Sequence, residues 1–167
     1  ERDFSGLSEF SGESIFVTGG SGFFGLALLN SLLDSNKKRN LNINITVLTR
    51  DITLFKNKNP KIANSIFINL IEGNVINFEF PNKKFSKIFH FATTSAEETF
   101  NGESQLKKYK TLVDGTERVL QFAAFCQADK IVFTSSGVVY GEFPKGMKTV
   151  EEGYSGAPDT SLPSSAL

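Results

Sequence analysis

A glycine-rich stretch carries the clearest chemical signal in this chain. Gly19-Gly20-Ser21-Gly22-Phe23-Phe24-Gly25 follows the apolar run Ile15-Phe16-Val17 and leads into a segment with helical spacing. Within it, Gly19, Gly22 and Gly25 make the pattern Gly-x-x-Gly-x-x-Gly. A first glycine tolerates the positive φ of a tight turn. A middle one, lacking Cβ, lets backbone come close to a phosphate, and the last lets the helix pack on the strand. The N–H groups of Phe23 and Phe24 would then point from a helix N-terminus toward an anion. Glycines at this spacing also build ligand-free turns; the strand before and the helix after them make the signal specific. No Gly-Lys-Ser/Thr closes the motif, which disfavours a nucleotide-triphosphate loop.

Three further groups could do chemistry. At the end of the second apolar run stands Val47-Leu48-Thr49-Arg50-Asp51. An acid there reads a ribose 2′-hydroxyl and an arginine accepts a 2′-phosphate. Arg50 and Asp51 offer both, and Thr49 stands where an acid is expected, so NAD or NADP is implied with NAD preferred; a solvated charged pair is the plain alternative. Thr134-Ser135-Ser136 places hydroxyls at the carboxyl end of a strand, facing the cleft where open α/β sheets bind ligands, unless they only cap the turn. His90 is the only histidine and invites an acid–base role. No metal site is expected.

The elements that must hold these groups follow from periodicity. Strands are expected at Ile15 to Val17, Ile43 to Leu48, Ser65 to Ile71, Lys87 to Phe91 and Lys130 to Thr134. A helix should run from Phe23 to Leu33, with Phe24, Leu28 and Leu32 on one stripe beside Ala27 and Leu29, ending at Asp34-Ser35-Asn36. A longer helix should run from Leu106 to Cys126, with Val113, Thr116, Val119, Leu120 and Ala123 on one face. Apolar strands without clean alternation, separated by crossovers, predict a doubly wound parallel sheet, a Rossmann fold. Residues 1–13 form an N-terminal extension in which Phe4, Leu7 and Phe10 suggest a short amphipathic turn. Residues 14–141 are the expected cofactor-binding domain, and 142–167 read as loop.

Composition excludes several classes. Lysine plus arginine balances aspartate plus glutamate at 18 each, so neither a nucleic-acid nor a membrane partner is expected. The basic cluster Lys37-Lys38-Arg39 reads as solvated loop. Cys126 is the only cysteine, so an internal disulfide is excluded and a buried thiol is expected. The 17 phenylalanines without a tryptophan read as compositional bias. With no apolar run of spanning length, a cytoplasmic protein is expected.

With these motifs in place, the chain resembles the extended short-chain dehydrogenase/reductases, the nucleotide-sugar epimerases, dehydratases and decarboxylases. The glycine turn, Gly73-Asn74-Val75, Phe89-His90-Phe91-Ala92-Thr93, Asp114-Gly115-Thr116-Glu117-Arg118-Val119-Leu120 and Phe133-Thr134-Ser135-Ser136-Gly137-Val138-Val139-Tyr140-Gly141 match the family in order, over residues 15–141. The resemblance implies adenine contacts at Asn74 and Val75, cofactor contacts at Phe91, Ala92, Thr93 and Ser135, and a catalytic hydroxyl at Ser136. It also implies a nucleotide-sugar substrate, leaves room for a homodimer, and makes His90 structural and Tyr140 a packing residue.

Departures limit this. The family's base is a Tyr-x-x-x-Lys pair, whereas Tyr109, Tyr140 and Tyr154 are followed four places later by Val113, Pro144 and Pro158. Asn74 replaces an aspartate, and Leu112 a frequent asparagine. The simplest expectation is an N-terminal fragment that is inactive alone, truncated before the catalytic helix and substrate region. A non-catalytic NAD(P)-sensing module is the alternative, and an S-adenosylmethionine-dependent methyltransferase a further one.

Overall fold

The computed structural model describes residues 5–94, 101–102, 104–143, 146–154, 156–159 and 161. Two compact units divide the chain, residues 1–133 and 134–167. The first is built on five parallel strands: β1 (Ser14–Thr18), β2 (Asn44–Thr49), β3 (Ile68–Glu72), β4 (Lys87–His90) and β5 (Lys130–Phe133). Their order, β3-β2-β1-β4-β5, is the doubly wound arrangement, with its switch point between β1 and β4.

β1 explains the layering. It pairs with β2 on one side and β4 on the other, so both of its faces must be covered. Ile15 and Val17 point one way, toward Leu29 and Leu32 of α1 (Phe23–Arg39), Phe55 of α2 (Ile52–Lys58) and Ile62 of α3 (Pro60–Ala63). Phe16 points the other way, toward Phe122 of α4 (Gln105–Cys126) and toward Phe78 and Phe85. Its ring centroid lies 4.6 Å from Phe122, 5.3 Å from Phe85 and 5.7 Å from Phe78. Arg118 closes this aromatic layer: its guanidinium sits 3.9 Å from the Phe80 centroid and donates to the Phe78 carbonyl at 2.7 and 3.2 Å. The phenylalanine excess thus has a packing use on this face.

The elements depart from expectation in instructive ways. α1 does not end at Asp34-Ser35-Asn36 but continues to Arg39. Ser35 and Asn36 are buried with their polar atoms satisfied: Ser35 donates to the Ser31 carbonyl, and the Asn36 amide bonds both the N–H and the C=O of Ile43 at 2.8 Å. Asn36 therefore staples α1 to the start of β2 instead of breaking the helix. Lys37, Lys38 and Arg39 form the last helical turn, not a loop, where positive charge complements the helix dipole.

The buried stripe of α1 is Gly25, Leu29, Leu32, Ser35 and Asn36, while Phe24 and Ala27 face outward. On α4, Val113 and Leu120 are exposed, and Gly115, Val119, Phe122, Ala123 and Cys126 face the sheet. In both helices a glycine pressed against neighbouring backbone or side chain sets the rotation, which hydrophobicity alone does not reveal. α2 and α3 were not expected.

Leu7 and Phe10, on a 3-10 turn at Ser5–Phe10, pack against the α1 side of the core; Phe4 lies outside the described residues. Cys126 is buried, and burial raises its thiol pKa. Among the described residues no helix is long and apolar enough to cross a membrane. In the second unit, among the described residues, a 3-10 turn at Gly137–Tyr140 is followed by turns and bends, and Gly156 lies so close to it that a Cβ there would strike the Tyr140 carbonyl.

Candidate functional site

The crevice outside the carboxyl ends of β1 and β4 is where this topology opens. β1 ends at Thr18, and Gly19 turns the chain with φ +69°. A Cβ on Gly19 would lie 2.5 Å from the Phe91 carbonyl carbon and 2.6 Å from the Ala92 nitrogen, so the turn rests directly on the residues that leave β4. A Cβ on Gly25 would meet the Gly19 carbonyl and lie 2.7 Å from Gly20 Cα. Gly20, not singled out from the sequence, is equally constrained, because a Cβ there would sit 2.5 Å from Val47 Cγ1 of β2. Its signal was available in the doubled glycine, but only the β2 contact explains it.

Gly22 is different. It is the N-cap of α1, at φ −80° and ψ 174°, an extended conformation open to any residue. A Cβ there would touch only the Gly19 carbonyl, at an ordinary 3.4 Å. The first helical bond is Leu26 N–H to Gly22 O, which leaves the N–H groups of Phe23, Phe24 and Gly25 ahead of the intrahelical ladder. No side chain caps this end of α1. Open space at Gly22 beside uncapped amides is the arrangement a bound pyrophosphate requires, so these residues fit the cofactor. Phe23 and Phe24 are 82% and 59% exposed, their rings edge to face at 5.3 Å.

The end of β2 is more settled than its sequence suggested. Asp51 Oδ1 accepts the Leu54 N–H at 2.7 Å, making Asp51 the N-cap of α2. Thr49 Oγ1 donates to the Asp51 carbonyl at 3.2 Å, and Glu72 accepts the Ile52 N–H at 3.4 Å. One Asp51 oxygen is therefore committed locally. Asp51→Ala should cost about 1 kcal/mol of stability, the usual worth of an N-cap, measured by urea denaturation; an unchanged midpoint would show that the cap contributes nothing.

The other expected site residues separate by exposure. Asn74 Oδ1 accepts the Ile76 N–H at 3.2 Å in a local turn. Val75 is buried, its Cγ1 2.9 Å from where a Cβ on Gly115 would stand, so only its backbone is left for a ligand. Phe91 and Ala92 are half-buried and Thr93 is exposed. Ser135 and Ser136 lie in the second unit and are exposed. Ser136 Oγ accepts the Val138 N–H at 3.3 Å, capping the 3-10 turn while leaving its own proton to donate.

His90 is buried, and burial pushes its pKa down to about 4. Its nitrogens face Thr18 Oγ1 at 2.7 Å and Thr116 Oγ1 at 3.3 Å. A neutral, enclosed imidazole is a structural group. Among the described residues no group of His, Cys, Asp or Glu converges as a metal site would.

The parallel sheet, its order and the glycine turn at the switch point define a Rossmann-like protein. The model of the NAD dependent epimerase/dehydratase family matches residues 15–161, and the chain belongs to that family. UDP-glucose 4-epimerase 2 of Oryza sativa subsp. japonica is 27% identical over 146 residues, which is 83% of this chain and 35% of that protein. Among solved structures, UDP-glucuronic acid 4-epimerase from Bacillus cereus, in complex with UDP-glucuronic acid and NAD, superposes with a TM-score of 0.68 at 19% identity over 87% of this chain and 46% of its own. dTDP-glucose 4,6-dehydratase from Streptomyces venezuelae gives a TM-score of 0.69 at 22% identity over 87% of this chain and 45% of its own. The chain thus spans less than half the length of these relatives.

Proposed function

We propose that this chain is the cofactor-binding part of a cytoplasmic nucleotide-sugar epimerase, dehydratase or decarboxylase, with its NAD-binding domain at residues 14–141, after an extension at 1–13 and before loop at 142–167. The observation that carries this reading is the open face of Gly22 at the uncapped start of α1, in a chain of the NAD-dependent family. In this reading Gly19 and Gly25 hold the turn closed, Gly22 admits the pyrophosphate, and the N–H groups of Phe23 and Phe24 bind it. Thr49, Arg50 and Asp51 border the adenosine ribose. The Asn74 amide and the Val75 backbone border the adenine. Phe91, Ala92 and Thr93 form the far wall of the crevice, and Ser135 is assigned a cofactor contact by the family resemblance.

A bound NAD would supply hydride-acceptor chemistry at the sugar carbon. The Ser136 hydroxyl, with its proton available, donates to the reacting sugar oxygen and orients it. The 167 residues contain no tyrosine four places before a lysine, so no base of the family's kind is at hand to take the hydroxyl proton. A second reading is a module that senses NAD(P) without turnover.

Titration of the chain with NAD(H), NADP(H) and S-adenosylmethionine, followed by calorimetry, tests the binding claim. NAD(H) should bind and the chain alone should turn over no nucleotide sugar. Binding of S-adenosylmethionine with no response to NAD(H) overturns the assignment. Turnover by a longer reading frame carrying a Tyr-x-x-x-Lys supports the enzyme; NAD(H) binding without turnover by that longer protein supports the sensor.

A further inference from the structure

A hydrogen-bond chain runs beneath the glycine turn and has no part in the chemistry above. Its centre is His90, 3% exposed at the end of β4. Neighbouring bonds fix where each proton lies. Thr116 Oγ1 donates its one proton to the Leu112 carbonyl at 2.6 Å, so toward His90 it can only accept, and Nε2 must carry a hydrogen. Thr18 Oγ1 accepts the Ala92 N–H at 3.2 Å and donates to Nδ1 at 2.7 Å. From the Ala92 N–H to the Leu112 carbonyl every donor then meets an acceptor. The other forms break the chain: hydrogen on Nδ1 alone leaves Nε2 facing an oxygen with no proton to give. The imidazolium instead forces Thr18 to take two donors while its own proton loses its acceptor. Burial disfavours the imidazolium as well, in keeping with the lowered pKa.

This chain reaches the proposed site through Ala92. The Phe91–Ala92 backbone presses on Gly19, so whatever holds the Ala92 amide holds one wall of the crevice against the glycine turn. We propose that His90 is a positioning residue: as the neutral Nε2–H tautomer it locks the Thr18 hydroxyl onto the Ala92 N–H and so sets that wall for dinucleotide binding. The proposal rests on the reading of the glycine turn as a dinucleotide seat. The two nitrogens have separate duties. Nδ1 serves the site, and Nε2 ties β4 to α4.

Two substitutions separate these duties. His90→Asn brings an amide oxygen near the Nδ1 position and can still accept from Thr18; His90→Gln reaches the Nε2 position and can serve only Thr116. Both should lower Tm. In NAD(H) titrations, His90→Asn should stay within about threefold of the parent and His90→Gln should weaken binding about tenfold. Thr18→Val should weaken it as His90→Gln does, and combining the two should add nothing, because both cut the same link. Equal affinity losses for Asn and Gln, or additive losses for Gln and Val, overturn the proposal.

Should the His90 variants fail to fold, nitrogen-15 NMR of the parent imidazole decides it: Nδ1–H or imidazolium at neutral pH overturns the proposal, and Nε2–H with weakened binding by Thr18→Val upholds it. A parent that shows the Nε2–H signature but binds no NAD(H) refutes the site, and the positioning role falls with it. A parent that binds NAD(H) with Asn and Gln equally impaired refutes the positioning role alone.

Discussion

Gly22→Val should abolish dinucleotide binding and leave the chain folded, whereas Gly25→Val should cost the fold itself. At Gly22 the backbone suits any residue, and a Cβ makes only an ordinary contact with the Gly19 carbonyl. The folding penalty should be about 1 kcal/mol, because valine is a poor N-cap. A branched side chain would fill the space a phosphate needs, and affinity should fall at least about 100-fold, equivalent to about 2.7 kcal/mol. At Gly25 the obstacle is backbone, the Gly19 carbonyl and Gly20 Cα, which cannot swing aside. There the loss should exceed about 3 kcal/mol. Thermal melts followed by circular dichroism, with NAD(H) titration of whatever remains folded, separate the two. A Gly22→Val chain that binds NAD(H) like the parent would sink the glycine-turn assignment.

The second large effect is acid destabilisation through His90. Its folded pKa is about 4 against an ordinary 6.5, so between these values the unfolded chain binds the extra proton. Stability therefore rises with pH across that window and is lost as pH falls through it. At 1.36 kcal/mol per pKa unit, the whole window is worth on the order of 3 kcal/mol. Urea midpoints measured from neutral pH down to about 4 should show this loss in the parent and a shallower slope in His90→Gln, which has no imidazole to charge. Parallel slopes for the two proteins would mean that carboxylates alone govern the acid limb.

Much of the architecture was readable because it is local. Strands buried on both faces announce themselves as short apolar runs, and the glycine turn sits between such a run and a helix. What was missed shares one cause, which is that the deciding contact leaves no mark in the apolar periodicity. Ser35 and Asn36 read as helix stops until Asn36 is seen bonded to Ile43. The faces of α1 and α4 depend on Gly25 and Gly115, whose contribution is closeness and not hydrophobicity. Asp51 is expected beside the ribose, and its additional capping bond to α2 appears only once that short helix exists. The Thr18–His90–Thr116 chain joins residues 72 and 26 positions apart, a spacing with no period to detect.

The unequal demands on the four turn glycines bear on how such a sequence would drift over generations. Gly19, Gly20 and Gly25 answer to neighbouring protein atoms, and Gly22, under the proposed function, answers to the pyrophosphate. A descendant that no longer needed the cofactor, yet still had to fold, would keep the first, second and last of these and be released at Gly22. Its glycine at that position is thus the residue of the turn whose retention speaks for continued use of the cofactor.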